Sequence, residues 1–408
     1  MPPRQALCSA PTGCPTTVCF ALISTVLFLA SASPIAQSQT YKVIHDFTNT
    51  GSDGATPYGG PVLDRLGNLY GTTYLGGTYG NGSVYRLSPH NSSWTYTSLY
   101  SFKGVPDGSG PAFGSLAIGE DRALFGTTEG GGYFGTTFVV CACPGREAVV
   151  HSFGMGTDGA QPIGGVVLDS LGNFYGTTSL GGAYGNGTVF EEKRSGLKWT
   201  ESVIYSFTGG SDPINPAAGV TLDAQGNLYG TASLGGAYGN GAVYKLSRSS
   251  SGWTETVLYN FQGQSDGQNP VGGVVIDKTG NLYGTTFDGG INGGGTVYEL
   301  SPSNGTWAFT VLYSFTGGYG GPYNKLTLDG KGNIYGFTNG EGAYGLGSVF
   351  KLTPANGGWT YTDLYDFVGG SEGGQPYGSV AVDDSGNVFG TAVVGGKYNQ
   401  GVVFEITP

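Results

Sequence analysis

Charge is scarce in this sequence. Only 17 Lys and Arg and 28 Asp and Glu occur among 408 residues, the formal net charge is −11, and no run or stripe of basic residues exists. A chain without such a stripe cannot neutralise a row of phosphates, which excludes nucleic acid as an expected partner and disfavours anionic membrane surfaces. Histidine is scarcer still, with three copies, so the usual general base and commonest metal ligand is nearly missing. Of five cysteines, Cys8, Cys14 and Cys19 crowd the N-terminal stretch, leaving Cys141 and Cys143. Two thiols make neither a disulfide scaffold nor a closed zinc site. Their Cys-Ala-Cys spacing leaves two readings, a tight local bridge or two inert strand residues, and the second is expected.

Long apolar runs are missing too. The one extended run, residues 18–30, falls short of the ~20 residues that span a bilayer. With Arg4 before it and small residues at Ala30 and Ala32 after it, it has the layout of an export signal. Residues 1–36 are therefore read as a signal peptide, with cleavage after Ala32 or Ala36, and residues 37–408 as one mature domain. The expected location is secreted or cell-surface, with no membrane span once the leader is removed. Loss of Arg4 takes the net charge from −11 to −12 (−11 − 1).

What the chain has in excess is glycine, 79 residues, alongside 27 Tyr, 21 Phe and 5 Trp. Glycine alone at that level points to a disordered or fibrous chain, but the aromatic rings supply area for a packed core. Glycine must then serve geometry. The motif Asn-Leu-Tyr-Gly-Thr-Thr and its variants place a glycine at Gly71, Gly126, Gly176, Gly230, Gly284, Gly336 and Gly390, at spacings of 55, 50, 54, 54, 52 and 54 residues. Self-similarity at such a period signals a repeat architecture.

Each copy holds four short strand candidates; in the fifth they are residues 272–277, 281–286, 296–300 and 307–315. They are rich in Val, Tyr, Thr, Leu and Phe and show no helical period. The prediction is an all-β fold, a seven-bladed β-propeller with four-stranded blades. A β-helix is the runner-up, disfavoured by uniform four-strand units with tight hairpins. Residues 41–47 match the fourth strand at 361–367, whereas the chain ends after a third strand at 402–406. The N-terminal strand is thus expected to complete the last blade and close the ring.

Asp64, Asp169 and Asp277 each open an Asp-x-x-Gly-Asn segment, the chemistry of a hairpin turn rather than of a metal site. A glycine inside every second strand predicts a neighbouring ring or backbone, with the adjacent blade as its source. The tryptophans opening five fourth strands (Trp94, Trp199, Trp253, Trp307, Trp359) are expected to fill gaps between blades.

Asn-Leu-Tyr-Gly-Thr, Gly-Gly-Ala-Tyr-Gly-Asn-Gly and Val-Tyr-Lys-Leu in succession, best seen at 227–246, resemble the bacterial GloVer tandem-repeat family. The resemblance covers residues 41–408. It implies an exported or surface protein and supplies no activity. Some members carry C-terminal anchoring segments; this sequence ends at Pro408, and free secretion is the expectation. The Asp-x-x-Gly-Asn-x-Tyr segment is more weakly similar to NHL-type and streptogramin-lyase-like propellers, a likeness of fold that transfers no function.

Little in the sequence favours catalysis. His45 and His151 stand where other copies have Tyr100, Tyr205, Tyr259, Tyr313 and Tyr365, and His90 sits in a connection. Candidate functional residues lie instead in loops. Alternating strands bring the connection from fourth strand to next blade onto the same face as that from second to third strand. The former carries Asp53, Asp107, Asp158, Asp212 and Asp266, with Glu372 in the seventh copy; the latter carries Tyr79, Tyr184, Tyr238, Tyr344 and Tyr398. Such a rim suits sugars, by stacking and hydrogen bonding, and its carboxylates with backbone oxygens also suit Ca²⁺, although no cofactor is expected. Against both stands a purely structural role, in which Asp caps the loop and Tyr staples it. The expected function is an exported, non-enzymatic binding or scaffold propeller for an extracellular polysaccharide or protein. The alternative is a carbohydrate-active lyase or hydrolase using rim carboxylates. The second copy, with Glu120-Asp121-Arg122 for its turn, is the most divergent and the first place to look for broken symmetry.

Overall fold

The computed structural model describes residues 39–408 apart from Ala112, residues 142–146, Leu197, Ser251, Gly318 and Tyr319. The expected signal peptide and Cys143, with any bridge to it, lie outside the described residues. Six four-stranded antiparallel sheets follow one another along the chain, each built from one repeat, and a seventh joins the strands of the last repeat to the N-terminal strand. The fold is the expected seven-bladed propeller.

In the fifth blade the strands are Val275–Ile276, Leu282–Thr286, Thr296–Ser303 and Thr306–Ser314. The first is much shorter than the predicted 272–277. Gly272 lies against the backbone of Asn324 in the sixth blade, and Asp277 already turns the chain, so only two residues remain to pair. A register shift recurs between the third and fourth strands, as at Val243/Tyr244 and Val297/Tyr298. Such a bulge adds local twist.

The ring closes as expected. Thr40–Asp46 pairs antiparallel with Val402–Thr407, placing Tyr41 opposite Ile406 and Asp46 opposite Val402. The last blade thus takes its outer strand from the other end of the chain, and the C-terminal strand is not left as an open edge.

Each residue of the repeated motif has a physical task, clear in the fourth blade. Asp223 Oδ1 accepts the backbone N–H of Gln225 and Asn227, while Oδ2 accepts Asn227 Nδ2 at 2.8 Å and Tyr229 Oη at 3.1 Å. One carboxylate therefore holds the hairpin, and Gly226, at φ +82°, completes it. Leu228 is fully buried. Gly230 faces Tyr244 across the ladder, and a β-carbon there would overlap that ring. The ring near the glycine was anticipated, but it comes from the blade's own third strand rather than from the next blade.

The first Thr of the motif stitches blades together. Thr127, Thr177, Thr231 and Thr285 donate from Oγ1 to the carbonyls of Gly164, Ala218, Gly272 and Asn324 in the following blade, at 2.9, 2.8, 3.0 and 3.3 Å. Thr391 makes the same bond to Gly59 across the closure, at 3.3 Å. The second Thr pairs with a hydroxyl on the third strand, as Thr178 with Thr188 at 2.8 Å.

Aromatic rings fill the wedges between blades. The Phe that directly follows each fourth strand is almost wholly buried, as in Phe47, Phe102, Phe153, Phe207, Phe261, Phe315 and Phe367. Removing such a ring from water stabilises by about 1.5–3 kcal/mol. Trp253 packs edge-on to Tyr175 of the preceding blade, and Trp307 does the same to Tyr229, with centroids 6.2 and 6.3 Å apart. The tryptophans fill inter-blade gaps as predicted. A single blade has no such neighbour, which is why the unit must be copied around an axis.

Candidate functional site

The two predicted loop sets do meet on one face. Pro213–Ile214 of one connection pairs with Leu234–Gly235 of the other, and Gly54–Ala55 with Leu75–Gly76. Most connections to the next blade also reach back to the blade before, as when Asn215 N–H donates to Asn186 O at 3.0 Å. The loops thereby form a continuous rim.

Within this rim the acids and the rings behave differently. The acids turn into their own loops. Asp107, Asp212 and Asp266 accept the hydroxyls of Tyr100, Tyr205 and Tyr259 at 2.7, 3.0 and 2.9 Å. Backbone N–H groups of Lys103, Thr208 and Gln262 complete the cap. Asp53 and Asp158 instead face His45 and His151, at 3.2 and 3.3 Å, and take N–H bonds from Thr48 and Gly154. The two histidines thus occupy the tyrosine position and repeat its contact. Glu372 accepts the Tyr365 hydroxyl in the same way. The five rim tyrosines point outward: Tyr79, Tyr184, Tyr238, Tyr344 and Tyr398 are 55, 62, 61, 62 and 47% exposed. In the divergent second copy Tyr133 is more exposed still.

Two features break the repeat, and sequence reasoning missed both. Where fourth strands of successive blades meet, rings normally stack face to face: Tyr259 on Phe309, Tyr313 on Tyr361, Tyr365 on Tyr41 and His45 on Tyr96, at 4.0–4.3 Å. In the second, third and fourth blades the outer ring is replaced by Glu147, Glu201 and Glu255, opposite Val140, Glu192 and Leu246 in the ladder. Burial, with Asp107 close by, pushes Glu147 up to about 8. Burial pushes Glu201 and Glu255 up to about 7, helped by Asp158 and Asp212 respectively. Each of the three keeps one buried oxygen without a hydrogen-bond partner. Among the described residues, no group of three or more His, Cys, Asp and Glu is arranged to hold a metal ion.

The second feature lies where the loops converge on the axis. Just past the loop proline, one residue on or, for Phe113, two, stand Tyr58, Phe113, Tyr323 and Tyr377 in the first, second, sixth and seventh blades, but Ile163, Ala217 and Val271 in the other three. The four rings contact one another around the axis, with centroids of 5.1 Å for Tyr58 and Tyr377, 5.2 Å for Tyr58 and Phe113, and 6.0 Å for Phe113 and Tyr323. Tyr74 and Phe287 extend the cluster on its outer side. Burial and the neighbouring Glu129 carboxylate raise the Tyr74 hydroxyl above its ordinary value. One half of the axial mouth is thus aromatic and the other aliphatic. The signal was a position that varies in kind while its neighbours repeat.

Repeat, ring and rim agree with one family. A family model described as the Gloeobacter/Verrucomicrobia repeat matches residues 32–236 and again 216–408. The chain belongs to the Gloeobacter/Verrucomicrobia repeat family. Two solved structures resemble this Gloeobacter/Verrucomicrobia repeat protein at 14% identity. One is described as a candidate oxidoreductase (glucose dehydrogenase) from Thermus thermophilus, with 74% of this chain and 96% of that one covered and a TM-score of 0.44. The other is a candidate 6-phosphogluconolactonase from Bacteroides uniformis, covering 75% and 83% with a TM-score of 0.48. Likeness at that level carries no activity across. No curated protein matches the sequence.

Proposed function

We propose that the protein is an exported, non-enzymatic binding or scaffold propeller whose loop face meets an extracellular polymer, with a polysaccharide favoured over a protein. One observation carries this reading: five repeat-related tyrosines stand exposed beside connections whose acids are already bonded within their own segment. Rings held on pre-ordered loops lose little entropy on binding, and a flat ring offers area to the face of a sugar. Spacing by blade suits a ligand that itself repeats, because several weak contacts then act together. No helix among the described residues is long and apolar enough to cross a membrane. The export signal and secretion belong to this proposal and rest on the sequence alone.

A glycan array and a pull-down from extracellular material test the reading. Tyr184→Ala and Tyr238→Ala should each weaken binding about ten-fold, the equivalent of ~1.4 kcal/mol per lost ring. Full affinity in both variants removes the rim from the account.

The carboxyls between blades favour a second reading, a carbohydrate-active lyase or hydrolase. Burial and the nearby Asp107 push Glu147 up to about 8, and a carboxyl so displaced is a candidate general acid. New reducing ends or unsaturated products from a polysaccharide panel, abolished by Glu147→Gln, would replace the binding reading with this one.

A further inference from the structure

At the axis the chain leaves no room for side chains in most blades. In most blades a pair of small residues stands one residue ahead of the first strand, as in Gly164-Gly165 and Gly272-Gly273, and a β-carbon on Gly164 or Gly272 would enter the backbone of the next blade's segment. The sixth blade departs from this with Asn324-Lys325. A cavity of about 210 Å³ lies beside these segments, walled by residues that include Leu116, Val166 and Val220, and Lys325 is the one charged residue in its wall. No carboxylate lines it, and among the described residues no hydrogen bond or ion pair reaches the Lys325 ammonium. Enclosure without a counter-charge lowers the lysine to about 8. In the same wall Ser115 Oγ and Asn324 Nδ2 are buried without a hydrogen-bond partner.

A half-buried ammonium with nothing opposite it destabilises the fold, and its cost is offset when an anion arrives. We propose that the axial cavity binds a small organic monocarboxylate, with the Lys325 ammonium as its counter-charge and Ser115 and Asn324 as supporting polar groups. One cation matches one negative charge; a doubly charged phosphate or sulfate would leave an excess charge buried among apolar walls. The aliphatic lining suits the body of an organic acid, and the volume fits a molecule from acetate to a hexuronate in size. This site is separate from the rim, whose tyrosines do not line the cavity.

The test is calorimetric titration with acetate, benzoate and D-glucuronate, each beside an uncharged analogue: acetamide, benzyl alcohol and D-glucose. At least one acid should bind, its neutral analogue at least about ten-fold more weakly, and Lys325→Met and Lys325→Gln should each lower the acid's affinity by about ten-fold or more. Binding should also fade as pH rises past about 8, since Tyr323, the other titratable residue in the wall, is held neutral beyond its usual range by burial and by Tyr377. Lys325→Met keeps the stem length and removes the charge, so a higher Tm than wild type without ligand would show that it folds. Equal binding by acid and neutral analogue, undiminished acid binding in both variants, or no binding by any acid up to ~10 mM overturns the proposal.

Discussion

At the scale of the residue, glycine and one ring opposite it explain much of the composition. Gly230 is not a hinge; it makes room for Tyr244, which lies over it across the ladder. Gly230→Ala should therefore destabilise by ~1–3 kcal/mol, as expected when a packed core is overfilled. Urea denaturation checks this, and pairing the change with Tyr244→Leu should recover part of the loss. Sequence reasoning anticipated a ring or backbone near such glycines but assigned it to the next blade. The register of the third strand decides which ring lies over the glycine, as it sets Tyr244 opposite Gly230. Lys325 was legible in principle, because Asn-Lys stands where other copies have small residues. The cavity beside it is walled by segments of several blades and so leaves no mark on any one copy of the sequence.

At the scale of the element, strand count and order were readable because alternating Val, Tyr and Thr runs stand between Asp-x-x-Gly-Asn turns. The two-residue length of the first strand was not, since its end is set by contact with a neighbouring blade rather than by its own residues. The threonine stitch was equally invisible. A Gly-Thr-Thr motif reads as ordinary strand composition until Thr231 is seen donating to Gly272 of the next blade at 3.0 Å. Thr231→Val keeps the shape and removes the donor, leaving a buried carbonyl unsatisfied at about 1–3 kcal/mol. Chemical denaturation should show that loss. A change within ~0.3 kcal/mol would mean that water or another donor replaces the hydroxyl. The rim acids belong here too: the sequence placed them on the right face and could not show that each bonds within its own connection.

At the scale of the whole molecule, seven copies and an N-terminal strand matched to a missing fourth strand led directly to a closed ring, and the pairing of Thr40–Asp46 with Val402–Thr407 bears this out. The unlike copies create a pH dependence that the repeat itself does not. Burial holds Glu147 and Glu192 near 8 and Glu201 and Glu255 near 7, whereas unfolded Glu titrates near about 4.3. Between these values the native state binds more protons than the unfolded state, so stability falls as pH rises from about 4.3 to about 8. The turn aspartates Asp64, Asp223, Asp277 and Asp329 act oppositely. Desolvation raises them, but donation from Asn, backbone N–H and Tyr or Thr outweighs it and holds them below the ordinary range. Their contribution is lost as pH drops below the unfolded value of about 3.9 and through the lower folded one. Thermal denaturation should therefore show maximal stability near about pH 4–5. Glu201→Gln and Glu255→Gln should raise Tm at about pH 8 and flatten the slope.

The wider claim is that the repeated residues hold the ring while the loop face is left to bind. Hydrogen–deuterium exchange of the protein with and without a polysaccharide that scores on the array tests it most directly. The account predicts slowed exchange in the tyrosine loops at 76–82, 181–187 and 235–241, and no change in the opposite-face turns at 64–68, 169–173 and 223–227. Protection confined to those opposite turns would contradict it.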